Sequence, residues 1–128
     1  PVARAEDRSI PGPAGPIPFQ PFAVQHGRIG ALGFRFHDVA YLPDVSDIPR
    51  ASWPLLEGLD LWILDALRYA PHPSHVHLAR SLDWIARVRP RRAVLTNMHI
   101  DLDYATLQRD LPAGVVPAHD GLTLDLPL

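Results

Sequence analysis

The chain has 128 residues and a formal net charge of −2, from 12 basic and 14 acidic residues. This is the length of one ordinary domain, and the slight acidity excludes a general polyanion binder, because binding to a phosphate backbone needs a basic excess. Cysteine and lysine are both absent. Disulfides, thiolate metal sites, cysteine nucleophiles and Schiff-base lysines are therefore excluded, and imidazole and carboxylate groups must carry any chemistry.

In chain order, the first predicted element is an irregular segment over residues 1–16. Its prolines and glycines are incompatible with a regular helix or with the hydrogen-bond ladder of a β-sheet. Three strands follow this segment. Pro18 and Pro21 place the first strand at the edge of the sheet, since neither residue can donate to a ladder. Alternation of Leu32, Phe34 and Phe36 marks the second strand. The three predicted strands cover residues 17–25, 29–36 and 39–42.

The rest of the chain alternates helices with strands. The strongest helix pattern has apolar residues at steps of three and four and is closed by Pro90. Asp101 or Asp103 is the predicted cap of a later helix that ends at Leu111. Helices are predicted at residues 49–58 and 74–88, buried strands at 59–64 and 93–96, and a terminal hairpin at 115–118 and 122–126. This alternation predicts an α/β layered domain.

Histidines and a carboxylate recur in loops beside the predicted strands, where ligands collect in open α/β sheets. They are His26, Asp44, His72, His75 and His99. Taken singly, each fits a turn, a cap or a surface loop. Taken together they indicate a metal site, because a protein without cysteine must bind metal through imidazole and carboxylate groups.

Several motifs resemble the later part of a metallo-β-lactamase-fold hydrolase. They are Tyr41-Leu42-Pro43-Asp44-Val45-Ser46, Leu64-Asp65-Ala66-Leu67-Arg68, His72-Pro73-Ser74-His75, residues 93–104, Leu111-Pro112-Ala113-Gly114 and His119-Asp120-Gly121. The resemblance covers residues 19–126 and points to the cyclic-phosphate phosphodiesterases linked to phosphonate breakdown, which are relatives of the tRNA 3′-processing nucleases. It implies two divalent metals at the edge of an αββα sandwich.

The resemblance also implies roles for individual residues. His26 and His99 would bind metal, and Asp44 would bridge the two metals. His75 would donate a proton or stabilise a phosphate oxygen. One departure concerns the last metal ligand, because the related phosphodiesterases place a histidine directly after Leu-Thr, where this chain has Asn97. Either the ligand has moved to His99, or the site binds its second metal differently. Asn97 is a candidate either to replace a ligand or to orient the loop.

Three further residues are candidates by position. Asp65 ends a buried strand, so it is predicted to orient a metal-binding histidine. His72 lies between two prolines, and Trp53 lies on a short helix after the metal loop. Both are predicted to contact substrate.

The first metal motif of the family, His-x-His-x-Asp-His, is missing from this chain. In the family it lies upstream of the residues that match Phe19. Residues 17–128 are therefore expected to form the C-terminal half of the hydrolase domain. Three ligands cannot hold two metals in the family's arrangement, so the isolated chain is expected to be inactive.

The resulting expectation is a metal-dependent hydrolase, specifically a binuclear phosphodiesterase with Zn²⁺ or Mn²⁺ that acts on a small phosphorylated or cyclic phosphate substrate. Expected partners are this substrate and either a missing N-terminal half or a second copy of the chain, while the weak basicity disfavours nucleic acid. The sequence has no membrane-length apolar run, and a cytoplasmic location is expected. The alternative is a non-catalytic binding or assembly module that needs a partner half or dimerisation.

Overall fold

The computed structural model describes residues 8–127 and contains one seven-stranded sheet, in which the strand order follows the chain. The strands are β1 (Arg8–Ile10), β2 (Ile17–His26), β3 (Ile29–Phe36), β4 (Val39–Leu42), β5 (Leu61–Asp65), β6 (Arg92–Thr96) and β7 (Val115–Pro117). The helices are a 3-10 helix (Arg50–Leu56), α1 (Leu78–Val88) and α2 (Tyr104–Asp110). The predicted α/β class is confirmed.

The sheet is antiparallel from β1 to β4 and parallel from β4 to β7. Tight turns join β2 to β3 and β3 to β4, where Gly27 and His37 adopt positive φ angles of 61° and 50°. Each parallel pair instead needs a crossover, which the 3-10 helix, α1 and α2 supply in turn. The carboxyl ends of β4, β5 and β6 therefore lie at one edge of the sheet, next to the loops that carry candidate residues.

The main core lies on one face of the sheet. Leu42, Leu64 and Leu95 occupy successive parallel strands and are fully buried there. Trp84 and Ile85 of α1 belong to the same buried cluster. This core fixes the three strand ends relative to one another, because close-packed interiors leave little room for the strands to shift.

The opposite face carries a row of apolar side chains across five strands. Phe34, Tyr41, Ile63, Val94 and Val116 are successive partners in register. Tyr41 and Val116 are exposed. A cavity of about 370 Å³ separates part of this face from the C-terminal residues that lie over it. Within the described residues, this second face is therefore only partly covered.

Two predicted elements near the N-terminus differ from the structure. Residues 8–10 form β1 rather than irregular chain, because the proline and glycine residues close a turn, with the amide of Gly15 donating to the carbonyl of Gly12 at 3.1 Å. Residues 1–7 of that predicted segment lie outside the described part of the chain. β2 is not a simple edge strand, since it pairs with β1 over residues 17–19 and with β3 over residues 20–26.

The predicted terminal hairpin is wrong. Residues 115–117 pair in parallel with β6, and residues 122–126 belong to no strand. The alternation of Leu122, Leu124 and Leu126 arises instead because these side chains line the cavity over the second face of the sheet. Leu128 lies outside the described residues.

Two of the predicted helices, α1 and α2, form, and only α1 starts later than predicted. α1 begins at Leu78 because the preceding segment is held extended, with the Val76 amide donating to the Val45 carbonyl at 2.6 Å. α2 begins after Asp103, whose carboxylate accepts from the Thr106 amide at 2.9 Å, as the predicted cap requires. Neither these helices nor any other in the described range combines the length and apolarity needed to cross a bilayer.

Substituting Leu64→Ala should lower the free energy of unfolding by about 2–5 kcal/mol, because Leu64 is fully buried in the core and its loss leaves a cavity. Urea unfolding followed by tryptophan fluorescence measures the change. Ile100→Ala serves as the matched control, since Ile100 is 91% exposed, and should stay within about 0.5 kcal/mol. Equal effects of the two substitutions would contradict the assignment of the core.

Candidate metal centre

Three of the candidate side chains converge at the edge of the sheet. His26 ends β2, Asp44 follows β4, and His75 lies in the loop before α1. One potential ligand atom from each residue lies within 4.8 Å of the other two, and residues 8–127 contain no other such group of three. Imidazole nitrogens and a carboxylate oxygen are a donor set that Zn²⁺ and Mn²⁺ both accept. The cluster can therefore hold a divalent cation.

The ring of His26 is oriented by a backbone carbonyl. Its Nδ1 donates a hydrogen bond to the carbonyl oxygen of Ser74 at 2.6 Å, which leaves Nε2 free to bind a ligand. Gly27 makes this close approach possible, because a Cβ atom at that position would lie 2.9 Å from the Cβ of Ser74. The Gly27 amide also donates to the hydroxyl of Ser46 at 2.9 Å. The turn after β2 is thus tied to the loop that carries His75, through Ser74, and to the loop after β4, through Ser46.

His75 pairs with a buried carboxylate. Its Nδ1 lies 2.7 Å from Oδ2 of Asp65, a residue with no exposed surface at the end of β5. Burial raises the pKa of the Asp65 carboxyl above its ordinary value, and the hydrogen bonds from His75 and from the Val45 amide act in the opposite direction. Because Nδ1 faces Asp65, Nε2 of His75 is the nitrogen that remains for the cluster or for a substrate.

Asp44 is exposed, and its backbone neighbour fixes its place. The Val45 amide donates to Oδ2 of Asp65 at 3.2 Å, and the Val45 carbonyl accepts from the Val76 amide at 2.6 Å. The loop after β4 is thereby joined both to the end of β5 and to the segment that carries His75. These bonds bring the Asp44 carboxylate beside the two imidazoles.

His72 borders the cluster. Its ring centroid is 5.4 Å from that of His75, and its Nδ1 accepts from the Ser74 amide at 3.2 Å. Loss of solvent lowers the pKa of His72 below its ordinary value, and the positive charge of Arg68 lowers it further. Its position beside the cluster is compatible with substrate contact, which stays a prediction.

Asn97 lies directly after β6 and points its amide into the same region. Its Nδ2 is 3.3 Å from Oδ1 of Asp65 and 3.3 Å from Nδ1 of His75. Both residues predicted to orient the site, Asp65 and Asn97, therefore contact His75 directly. The orienting function itself stays a prediction.

His99 lies outside the three-residue cluster. Its Nδ1 is 3.2 Å from Oδ1 of Asp101, and the imidazole is largely exposed. Its backbone amide donates to the Leu67 carbonyl at 2.7 Å, which joins the loop after β6 to the loop after β5. The structure thus shows His99 pairing with a neighbouring carboxylate, and its predicted role as a metal ligand stays untested.

Trp53 packs within the fold. Its indole N–H donates to the Ile48 carbonyl at 3.1 Å. The Arg87 guanidinium lies 3.7 Å from the centre of its ring, and the Trp84 ring packs edge-on at 6.0 Å. These contacts attach the 3-10 helix to α1, and the predicted contact of Trp53 with substrate remains a prediction.

Sequence reasoning missed the backbone groups that orient the imidazoles. The Ser74 carbonyl fixes His26, and the Val45 amide contributes to the surroundings of Asp65. Every residue has a carbonyl and nearly every residue an amide, so residue type carries no signal for them. The one available clue was Gly27, because a glycine beside a candidate ligand indicates a close backbone approach.

Comparison with known proteins gives one family match and several structural ones. Residues 2–100 match the family described as Beta-lactamase superfamily domain. The chain is similar to a diphosphatase from the PhnP family, with a TM-score of 0.87 and 39% identity, over 96% of this chain and 48% of that chain. It is also similar in fold to Zn²⁺-bound PqqB from Methylobacterium extorquens, with a TM-score of 0.65 and 19% identity, over 94% of this chain and 54% of that chain.

A curated protein also matches. The octanoyltransferase of Porphyromonas gingivalis (strain ATCC BAA-308 / W83) is 28% identical over 116 residues, which are 88% of this chain and 23% of that protein. The chain therefore spans about half of the diphosphatase and less than a quarter of the curated relative.

The chain is expected to bind Zn²⁺ through the cluster, and Asp44→Asn should weaken that binding about tenfold or more, because a neutral amide replaces the one anionic ligand. Competition with a chromophoric chelator measures the affinity. His119→Gln is the matched control, since His119 is exposed and lies outside the cluster, and should change the affinity by less than about twofold. A larger loss with His119→Gln than with Asp44→Asn would contradict the assignment of the ligands.

Arg68→Gln should raise the pKa of His72, because it removes a positive charge that disfavours the imidazolium form. An NMR titration of the histidine Cε1–H signals reads this directly. Arg91→Gln is a suitable control, since Arg91 pairs with Asp60 instead. An unchanged or lower pKa in the Arg68 variant would show that Arg68 exerts no such effect.

Proposed function

The chain belongs to the Beta-lactamase superfamily domain family and has the hydrolase fold of that family, and from this premise we propose that it forms part of a metal-dependent phosphodiesterase. The observation that carries the proposal is the cluster of His26, Asp44 and His75 at the end of the parallel strands. Its two imidazoles each have Nδ1 held by an oxygen, so that both can present Nε2 to a common centre.

His26 and Asp44 would hold the metal, and a bound divalent cation would supply polarisation of a phosphoryl oxygen. His75 has a different task in the proposal. Its Nδ1 stays with the Asp65 carboxylate, and its Nε2 gives a proton to the oxygen that leaves phosphorus. Asp65 acts only through His75, since its buried carboxylate has no exposed surface.

The proposed substrate is a small phosphorylated compound or cyclic phosphate. The similar protein of known structure is a diphosphatase, which supports chemistry at phosphorus. The chain's net charge of −2 offers no general attraction for a long polyanion. His72, which borders the cluster, is the proposed substrate contact from this chain, with Trp53 of the 3-10 helix as a second candidate.

The proposed metals are two ions of zinc or manganese, and zinc is favoured by the zinc-bound neighbour in the same fold. One histidine, one aspartate and a neighbouring histidine do not complete two coordination spheres. We propose that a further half of the protein, or else a second copy of this chain, supplies the remaining ligands and covers the apolar row that ends in Val94 and Val116. The absence of cysteine is compatible with a cytoplasmic location.

A chimaera tests this function. The matching half of the solved diphosphatase is replaced by this chain, and hydrolysis of bis-p-nitrophenyl phosphate is followed by absorbance. We expect turnover, and His75→Gln should lower it about a hundredfold or more while the metal content stays the same, because the loss of an acid does not remove a ligand. Loss of metal along with turnover would contradict the role of His75 as an acid.

The isolated chain should have no appreciable activity on the same substrate, since His26 and Asp44 of the cluster cannot by themselves hold two metals. Turnover by the purified chain, abolished by Asp44→Asn, would overturn this part of the proposal. Absence of bound zinc in both the isolated chain and the chimaera would instead favour a non-catalytic assembly module.

A further inference from the structure

Asn97 holds an uncommon backbone conformation at the edge of the site. Its φ angle is 59°, in the left-handed region, which it shares with only two other non-glycine residues in the described part of the chain, His37 and Arg89. Asparagine tolerates this region better than most residues. The conformation turns the chain directly after β6 and aims the Asn97 side chain back across the ends of β4 and β5.

The Asn97 amide reaches groups that belong to three different parts of the site. Its Nδ2 lies 3.3 Å from Oδ1 of Asp65, 3.4 Å from the carbonyl oxygen of Pro43 and 3.3 Å from Nδ1 of His75. Pro43 follows β4 and Asp65 ends β5, while Asn97 itself follows β6. One side chain therefore joins the ends of three parallel strands.

The contacts divide the two oxygens of Asp65 between different donors. Oδ2 accepts from His75 and from the Val45 amide, and Oδ1 accepts from Asn97. A buried carboxylate needs these donors, because an unpaired charge in the interior is costly. The 3.3 Å contact between Nδ2 of Asn97 and Nδ1 of His75 is not a further hydrogen bond, since Nδ1 already donates to Asp65. The Asn97 amide lies beside that bond and is placed there by its contacts with Asp65 and Pro43.

We propose that Asn97 is a positioning residue: it holds Oδ1 of Asp65, so that Oδ2 keeps its hydrogen bond with Nδ1 of His75 and the Nε2 atom of His75 faces the cluster. The inference rests on the proposed function only for the catalytic use of His75. It concerns the amide nitrogen, which has no lone pair to give to a metal.

The test follows the Nδ1 proton of His75 by ¹⁵N-edited NMR in the full chain with chelator present. Asn97→Gly suits the left-handed backbone and removes the amide. Exchange of the Nδ1 proton with solvent should then be about tenfold faster or more, the factor expected for losing one hydrogen bond to a charged group. Arg89→Gly is the matched control, because it relieves the same backbone region far from the site, and should leave the exchange unchanged.

Asn97→Asp separates donation from space filling. Aspartate has the size of asparagine and also tolerates the left-handed region, but its carboxylate cannot donate to Asp65. We expect exchange at least as fast as in Asn97→Gly. Slow exchange in either variant would overturn the inference. Because the experiment needs neither metal nor substrate, failure to bind zinc would count against the proposed function alone.

Discussion

The carboxylate of Asp65 lies at the end of β5 with no exposed surface, surrounded by an imidazole, a backbone amide and a side-chain amide. Burying a charge without partners costs several kcal/mol, so this arrangement holds only while its three donors remain in place. Each donor comes from a different loop. Because the Asp65 carboxylate must be hydrogen-bonded by all three donors, it holds the loops after β4, β5 and β6 in place relative to one another, and with them the candidate metal cluster.

The carboxylate is also linked to the core. The carbonyl of Asp65 accepts from the hydroxyl of Ser81, which is fully buried in α1. Helix, strand end and imidazole thus form one connected unit. His75 precedes the helix rather than lying within it, and the extended segment around Val76 gives its side chain the reach to meet Asp65.

Part of this arrangement follows from the sequence, because apolar runs mark the strand ends and the candidate ligands lie in the loops beyond them. The sequence indicates Asp44 and His75 in such loops, and the structure brings both into one cluster. His99 lies outside that cluster because its loop lets the side chain pair with the nearby carboxylate of Asp101, and its role as a metal ligand stays a prediction. The predicted strand at residues 122–126 was wrong for a different reason. The alternation of Leu122, Leu124 and Leu126 indicates that one side of the segment is buried, but it does not show whether the segment pairs with another strand.

The strands are ordered in the sheet as they are in the chain, and this order affects how the candidate metal centre forms during folding. β1 to β4 pair through short turns, whereas each parallel strand must wait for a crossover to close, and longer closures cost more entropy. His26 and Asp44 lie at the ends of β2 and β4, which pair through short turns, whereas His75 and its partner Asp65 come into place only with β5. The cluster is therefore complete only after the first crossover has closed, and a metal ion would find no organised site on the unfolded chain. Its contribution to stability would come by mass action on the finished fold rather than by guiding the chain toward it.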